Sequence, residues 1–305
     1  MDTGDSSGPF SQPRRRTLDL PSQGAGAHLA ALEFGDPGRP LDVIFLHANG
    51  FNAMTYRSVL APLASRLRIL AVDQQGHGRS PRRIAMEGRK SWIDLRDDLV
   101  ALLDQLEPHP LVLAGHSMGG AVSIFTAADR PDRVKALALF DPVIPAPEVV
   151  AQMRAAEGRP MKGNLLAEGA DRRRALFPSR DAVLDSYRGR GAFKTWPEEA
   201  LVDYIADGFV DRPDGQVELA CAPAWEASNF RSHGHDPWEA IARLKTPTTI
   251  LRASIGSTCS LTSADQLPAD LAPKHVETIA DSTHFLPIER PDLTRATLLA
   301  ACRVA

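Results

Sequence analysis

Short runs of consecutive apolar residues recur along the first half of the chain. Residues 27–34 (AHLAALEF) predict a strand that ends in the turn at 35–38 (GDPG). Four continuously apolar runs follow at residues 42–47 (DVIFLH), 67–72 (LRILAV), 110–114 (PLVLA) and 134–140 (VKALALF). A run that is apolar at nearly every position is typical of a strand covered on both faces, as in a parallel sheet. Two shorter strand-like runs follow near the end, at 246–251 (TPTTIL) and 275–279 (HVETI).

Between these runs, apolar residues recur at helical spacing. The clearest case is residues 91–106 (SWIDLRDDLVALLDQL), where Ser91 is a suitable N-cap. One face of this helix carries Trp92, Leu95, Leu99, Leu102, Leu103 and Leu106. Strands that alternate with helices predict βαβ units, and therefore an α/β fold with a mostly parallel central sheet flanked by helices.

The alternation stops after residue 144 and resumes after residue 238. The residues between are rich in Arg, Pro, Gly and Trp and predict short helices without strands. A loop of this length without structure of its own is uncommon, so we expect a folded helical cap. The predicted organisation is a flexible tail at 1–15, a first part of the core at 16–144, the cap at 145–238 and a second part of the core at 239–305.

Composition and charge exclude several classes of protein. The 305 residues are 43% hydrophobic and 24% charged, with a formal net charge of −3, which gives no indication of a nucleic-acid partner. Three widely spaced cysteines do not form a disulfide framework, and no apolar run approaches the roughly 18 residues of a membrane span. The first residues also lack the apolar segment of a secretory signal, so we expect a cytoplasmic protein.

The strongest chemical signal is the sequence G-x-S-x-G at residues 115–119. It follows the run at 110–114 and precedes a helical stretch of small residues, which is the strand–turn–helix context of a serine nucleophile. Such a turn strains the backbone at Ser117, and side chains at Gly115 and Gly119 would collide with neighbouring backbone. We therefore predict Ser117 as the nucleophile, the alternative being a structural glycine turn.

A serine hydroxyl is a poor nucleophile until a base takes its proton. His284, in residues 281–287 (DSTHFLP), follows the last predicted strand and so lies in a loop at that strand's carboxyl end. The chain offers other histidines, at positions 47, 77, 116, 233, 235 and 275. The location after the final strand favours His284 as the general base.

Four motifs, in this order, resemble the α/β-hydrolase superfamily over nearly all of residues 26–303. They are residues 47–50 (HANG), 73–80 (DQQGHGRS), 115–120 (GHSMGG) and 283–291 (THFLPIERP). The chain is identified as a member of the serine-nucleophile, esterase- or lipase-like branch. The resemblance implies an α/β-hydrolase fold with the helical cap inserted after strand 6.

The resemblance also implies the oxyanion hole, in which fixed N–H donors stabilise the charge of a tetrahedral intermediate. The superfamily takes one donor from the residue after the nucleophile, here Met118. The other comes from the loop after the third strand, here Asn49, with Ala48 as the alternative. The family usually has His-Gly where this chain has His47-Ala48.

The acid that orients the histidine departs from the usual pattern. Most members of the superfamily place an aspartate shortly after the seventh strand, but residues 251–259 (LRASIGSTC) contain no carboxylate. A second placement in the family follows the sixth strand, where this chain has Asp141. We predict Asp141 as the acid. Asp265 is the alternative, and a site without an ordinary acid is another.

These assignments predict a hydrolase that cleaves a carboxylic ester of small to medium size through an acyl-enzyme, with no cofactor and no metal. The expected partner is this small-molecule substrate. C–C bond hydrolysis, lactone hydrolysis and perhydrolysis use the same serine and are alternatives, as is a non-catalytic small-ligand receptor. Candidates for substrate contact are His47, Phe51, His116 and Phe285. Candidates from the cap are Trp196, Tyr204, Phe209, Trp225 and Phe230.

Three other polar segments are interpreted as structural. Residues 233–236 (HGHD) lack partner ligands for a metal site elsewhere in the sequence. The arginines at 172–174, with Arg180, Arg188 and Arg190, are interpreted as a solvated face of the cap, the alternative being recognition of an acidic substrate. Residues 73–80, with Gly76 and Gly78, are interpreted as a tight turn after a strand.

Overall fold

The computed structural model describes residues 12–156 and 164–304. The strands are β1 (Arg14–Asp19), β2 (His28–Phe34), β3 (Val43–Leu46), β4 (Ile69–Val72), β5 (Leu111–His116), β6 (Val134–Phe140), β7 (Leu176–Phe177), β8 (Phe209–Asp211), β9 (Val217–Leu219), β10 (Thr248–Ile255) and β11 (Lys274–Thr283). The helices are α1 (Arg57–Leu60), α2 (Ile93–Gln105), α3 (Met118–Asp129), α4 (Pro147–Ala155), α5 (Leu165–Asp171), α6 (Arg180–Tyr187), α7 (Glu198–Gly208), α8 (Pro223–Arg231), α9 (Pro237–Ala242), α10 (Leu286–Glu289) and α11 (Pro291–Cys302). Over the residues described, no helix combines the length and the apolar composition that crossing a bilayer requires.

Eight strands form one sheet in the order β1-β2-β4-β3-β5-β6-β10-β11. The pairs β1–β2 and β2–β4 are antiparallel, and all other neighbours in the sheet are parallel. The predicted α/β-hydrolase fold, with a mostly parallel central sheet flanked by helices, is confirmed.

The central strand β5 shows why the apolar runs contain no polar alternation. Leu111 and Leu113 belong to the hydrophobic cluster on one face of the sheet, together with residues of α2 and α3. Val112 and Ala114 belong to the cluster on the other face, together with residues of α11. Because helices cover both faces, every position of the strand is buried.

The structure corrects the predicted boundary of the N-terminal tail. Strand β1 begins at Arg14, inside the predicted tail, and pairs with β2 in antiparallel register. The Arg16 guanidinium lies 2.6 Å from the Glu33 carboxylate, so an ion pair adds to the backbone pairing with β2 and the packing of Leu18 in holding this edge strand. Residues 1–11 of the predicted tail lie outside the described residues.

The segment predicted as a cap of short helices also contains strands. Between α4 and α8, the short strands β7, β9 and β8 form an antiparallel sheet. The expectation of helices without strands was therefore wrong for this segment. Phe177 of β7 and Phe209 of β8 are buried with ring centroids 5.7 Å apart, and both pack against Tyr187 of α6, at 5.8 and 6.2 Å.

Candidate active site

Ser117 occupies the turn between β5 and α3. Its backbone has φ 55° and ψ −118°, a conformation that residues other than glycine rarely adopt. A Cβ at Gly115 would lie 2.4 Å from the carbonyl of Gly119, and a Cβ at Gly119 would lie 2.4 Å from the carbonyl oxygen of Leu46. The two glycines therefore permit a close turn that places Ser117 at the carboxyl end of the sheet.

His284 directly follows β11 and contacts two other predicted residues. Its Nε2 lies 2.9 Å from Ser117 Oγ, and its Nδ1 lies 2.5 Å from Asp141 Oδ2. Because an ionised carboxylate only accepts hydrogen bonds, Nδ1 carries the proton and Nε2 can accept from the serine hydroxyl. The three side chains form an unbroken hydrogen-bonded chain whose geometry suits proton transfer from the serine.

Asp141 follows β6 in a left-handed conformation, with φ 42°. Burial of its carboxyl favours a raised pKa, but the hydrogen bond and charge of His284, with further donors, hold the pKa of Asp141 below its usual value. The alternative acid, Asp265, is exposed, and its carboxylate accepts a hydrogen bond from Ser263. The structure thus brings Asp141, and not Asp265, to the histidine.

The loop after β3 contains both candidates for the second oxyanion donor. The N–H of Ala48 donates to Tyr56 Oη at 3.2 Å. The N–H of Asn49 has no acceptor among the residues described, and that of Met118, at the first position of α3, has no acceptor within the helix. The Asn49 side chain donates to the carbonyl of Glu226 at 3.0 Å, which fixes the loop. Of the two loop residues, Asn49 is the one with a free donor.

A second hydrogen-bonded chain joins this loop to His284. Tyr56 Oη accepts from Ala48 and donates to His116 Nδ1 at 2.7 Å, and His116 Nε2 donates to the backbone carbonyl of His284 at 2.7 Å. Burial lowers the pKa of His116 to about 3, so the ring is neutral and its one N–H is directed to His284. These hydrogen bonds link the position of His284 to that of the loop after β3.

We expect Tyr56→Phe to lower the free energy of unfolding by about 2–4 kcal/mol, because the Ala48 N–H and His116 Nδ1 lose their partner and each buried unpaired group costs about 1–3 kcal/mol. Urea unfolding measures the change. The matched control is Tyr187→Phe, whose hydroxyl makes a longer contact, 3.4 Å, with Arg173. Equal losses in the two variants would contradict the expectation.

Two predicted substrate contacts, His47 and His116, are completely buried. His47 Nδ1 donates to the Ala48 carbonyl at 2.8 Å, and its Nε2 accepts from the Gln74 N–H at 2.9 Å. Since both rings lack exposed surface and use both nitrogens within the protein, neither is placed to touch a substrate. They organise the loops around Ser117 instead.

Burial lowers the pKa of His47 to about 4, whereas a histidine in the unfolded chain titrates near 6.5. Between these values the unfolded chain takes up a proton that the folded chain does not, so the folded state loses stability as the pH falls. His47→Gln has no imidazole at this position, so its stability does not fall with pH for this reason. We therefore expect the stability advantage of the wild type over His47→Gln to shrink by about 2 kcal/mol between about pH 7.5 and pH 5, in urea unfolding. The exposed His275, changed to Gln, is the control, and an equal pH effect there would contradict the expectation.

The other two predicted substrate contacts, Phe51 and Phe285, belong to an aromatic cluster beside the histidines. Their rings are stacked with centroids 6.0 Å apart, and Phe51 meets the edge of Trp196 at 5.1 Å. Phe285 lies 5.7 Å from the His284 ring, and Tyr204 lies 5.8 Å from Phe51. The remaining aromatic candidates pack elsewhere: Phe209 against Phe177, Trp225 under Arg89, and Phe230 against Ala167, Ala170 and Ala227.

Residues 233–236 are used in packing and capping. The rings of His233 and His235 lie 4.9 and 4.7 Å from that of Trp92, and Asp236 caps α9. Within residues 12–156 and 164–304, no group of three His, Cys, Asp or Glu side chains is arranged to hold a metal ion.

Three residues around the site had no motif that could identify them. Tyr56 precedes α1, and its contact with His116 joins positions far apart in the chain. Ser257 and Thr258 bind the carboxylate of Asp141 from the loop in which no acid was found. The one available signal was that this loop carries hydroxyl side chains where a carboxylate was expected.

The chain is similar to several known proteins. The family model described as the alpha/beta hydrolase family matches residues 43–297. Lipase LipV of Mycobacterium tuberculosis is 39% identical over 110 residues, which are 35% of this chain and 40% of that protein. The 2-(acetamidomethylene)succinate hydrolase of Mesorhizobium japonicum is 26% identical over 255 residues, 83% of this chain and 84% of that protein.

The matches to several curated relatives are partial, spanning 36%, 27% and 40% of their lengths. Among solved structures, a thioesterase domain from the curacin biosynthetic pathway superposes with a TM-score of 0.74 at 20% identity, covering 94% of this chain and 99% of that one, which shows a shared fold. Since the family model spans most of the sequence, the chain belongs to the α/β hydrolase family.

Proposed function

We propose that the protein is a serine hydrolase that cleaves carboxylic esters through an acyl-enzyme. The observation that carries the proposal is the hydrogen-bonded chain from Ser117 through His284 to Asp141, with distances of 2.9 and 2.5 Å. Relatives named as lipases and an esterase support a hydrolase on this fold.

In the first half of the reaction, Ser117 Oγ attacks the ester carbonyl while His284 Nε2 takes its proton. Asp141 keeps the other ring proton on Nδ1 and stabilises the imidazolium that forms. The N–H groups of Met118 and Asn49 donate to the oxygen on which negative charge develops. His284 then protonates the leaving alcohol, and the acyl group remains on the serine.

In the second half, water takes the place of the alcohol. His284 removes a proton from the water, which attacks the acyl carbonyl, and the same N–H groups stabilise the second tetrahedral intermediate. Return of the proton to Ser117 Oγ releases the carboxylic acid. The cycle uses side chains and backbone of this chain and needs no cofactor.

We assign the aromatic cluster of Phe51, Trp196 and Phe285 to the substrate side of the site. Phe285 lies beside His284, and Phe285 and Trp196 both pack against Phe51, so an apolar acyl or alcohol group of moderate size would pack against the cluster. Trp196 belongs to the segment 145–238, which we propose as a cap over the site. Its contact with Phe51 of the core is the observation that supports this role.

The test is hydrolysis of p-nitrophenyl esters with acyl chains of increasing length. We expect steady turnover, with the preferred length reporting the size of the pocket. Protein pre-treated with a fluorophosphonate, which modifies activated serines, is the control. Turnover that survives this treatment, or no turnover of any ester, would overturn the proposal. If no ester is turned over, C–C substrates and lactones are tested next, together with ligand binding without turnover.

A further inference from the structure

We propose that Asn229 is a positioning residue, which holds the loop after β3 so that the N–H of Asn49 is directed to the developing oxyanion. The inference rests on the proposed function, in which Asn49 supplies one of the two oxyanion donors. Asn229 lies in helix α8, within the segment 145–238 that we propose as a cap. Because Asn229 is completely buried, it acts through Asn49 rather than on the substrate.

The Asn49 side chain makes two hydrogen bonds to α8. Its Nδ2 donates to the Glu226 carbonyl at 3.0 Å, and its Oδ1 accepts from Asn229 Nδ2 at 2.8 Å. His77 Nε2 lies 3.2 Å from the same oxygen. Since a carbonyl only accepts, the contact with Glu226 fixes which end of the Asn49 amide is the donor. Both ends of this side chain are therefore held, which restricts rotation of the adjoining backbone.

Asn229 is itself held in one orientation by residues of the core. Its Oδ1 accepts from the Arg89 guanidinium, so that Nδ2 faces Asn49. Arg89 is buried and in turn donates from Nη2 to Asp94 Oδ1 at 2.8 Å. Trp92 Nε1 donates to the backbone carbonyl of Asn229 at 3.0 Å. These bonds fix both the helix and the direction of the amide that it presents to the loop.

Helix α8 lies directly against the loop after β3. Gly50 has φ 75°, and a Cβ at this position would lie 2.7 Å from Glu226 Oε1. Trp225 Nε1 donates to the Gln75 carbonyl at 3.0 Å, which attaches the helix to the turn after β4 as well. Removal of one donor from α8 therefore changes the hold on the loop without releasing the helix.

The first test is Asn229→Asp, which keeps the size of the side chain and the oxygen that Arg89 binds. An ionised carboxylate has no donor, so an oxygen then faces Asn49 Oδ1 and repels it. Loss of an oxyanion donor costs about 10²–10³-fold in kcat, and here the N–H is displaced rather than removed. We expect kcat for a p-nitrophenyl ester to fall about 10–100-fold with KM nearly unchanged. The rate at which a fluorophosphonate labels Ser117 falls by a similar factor, because its phosphoryl oxygen uses the same donors.

Two further variants accompany this one. Asn229→Ala removes the donor without adding a charge, and we expect it to lower kcat in the same direction. The matched control is Ser232→Ala, at the end of α8. Ser232 is completely buried, and its hydroxyl donates to the Ser228 and Arg89 carbonyls, at 2.8 and 3.3 Å, and not to the loop. A variant of position 229 that is folded by circular dichroism and keeps wild-type kcat and labelling overturns the inference, as does an equal loss in Ser232→Ala.

The route through Asn49 is tested in an Asn49→Ala background. Alanine keeps the backbone N–H but removes the side chain that Asn229 holds, so Asn229→Asp has no hydrogen bond to the loop left to break. We expect Asn229→Asp to lower kcat less than about 3-fold in this background, since two changes in one contact are not additive. Losses that add in the double variant would contradict the inference, because they would reach the site by a route other than Asn49.

Labelling separates this inference from the proposed ester substrate. If the wild type is labelled but hydrolyses no ester, the ester proposal fails, and the labelling rates of the same variants decide whether Asn229 positions the loop. A wild type that is neither labelled nor active overturns both proposals, since no oxyanion is then formed at Ser117.

Discussion

Alanine at position 117 is expected to lower kcat for an ester substrate by about 10⁵–10⁶-fold and to abolish labelling by a fluorophosphonate. Among the residues that the structure describes, Ser117 Oγ is the nucleophilic group in contact with His284 Nε2, at 2.9 Å. Without it, His284 has no nucleophile to activate, and only binding and oxyanion stabilisation remain. Steady-state kinetics and mass spectrometry of the labelled protein measure both effects.

The matched control for this prediction is Ser123→Ala. Ser123 is buried in α3 close to the same turn, but its hydroxyl donates to the Gly119 carbonyl at 2.8 Å and not to the histidine. Both changes remove one hydroxyl from a buried serine, so a general effect on packing would appear in both. We expect Ser123→Ala to keep its activity within a few-fold. Substantial turnover in Ser117→Ala would instead require another nucleophile.

Much of the fold could be predicted because the sheet is covered on both faces. Strands β3, β4 and β6 lie within the apolar runs from which they were predicted, and helix α2 occupies Ile93–Gln105 within the predicted 91–106. Burial on both faces removes polar residues from every position of such a strand, so the pattern alone is decisive. The turn at Ser117 could be predicted for a related reason, since only glycines fit at its two crowded positions.

The elements that could not be predicted depend on contacts between distant parts of the chain. Strand β1 is largely polar and is attached through ion pairs with Glu33 and Asp207, which apolar periodicity does not report. His47 and His116 have the residue type of substrate contacts, yet their partners turn them into buried structural groups. Ala253 and Ser257, which donate to Asp141, lie more than a hundred residues further along the chain, and no local sequence pattern indicates this contact.

The candidate site gathers at one edge of the sheet because parallel strands end on the same side. The loop after β3 provides Asn49 and the turn after β5 provides Ser117, while Asp141 and His284 directly follow β6 and β11. Each of these strands thus contributes one residue of the candidate site, and the register between the strands sets the distances between those residues. This arrangement explains why an acid can come from β6 while its supporting donors come from the adjacent β10, with which β6 pairs in parallel.

Asparagine at position 141 is expected to lower kcat by about 10⁴-fold while KM changes little, because Asp141 is fully buried behind the histidine and touches no substrate in the proposed mechanism. The control is Asp265→Asn, which alters an exposed carboxylate of the same type. We expect this control to keep wild-type kinetics. The reverse outcome, an active Asp141→Asn and an inactive Asp265→Asn, would transfer the role of the acid to Asp265.

The size of the loss follows from the donors around position 141. The Ala253 N–H and the Ser257 hydroxyl both donate to Oδ1, so an asparagine keeps its oxygen there and turns its NH₂ group toward His284. Two donors then face each other unless the imidazole moves its proton from Nδ1 to Nε2. In that tautomer Nε2 donates to Ser117 Oγ and can no longer take its proton. The base is then lost, although asparagine has nearly the size of aspartate and leaves the packing around the site nearly unchanged. Unfolding in urea alongside the kinetics separates this loss of the base from a loss of the fold.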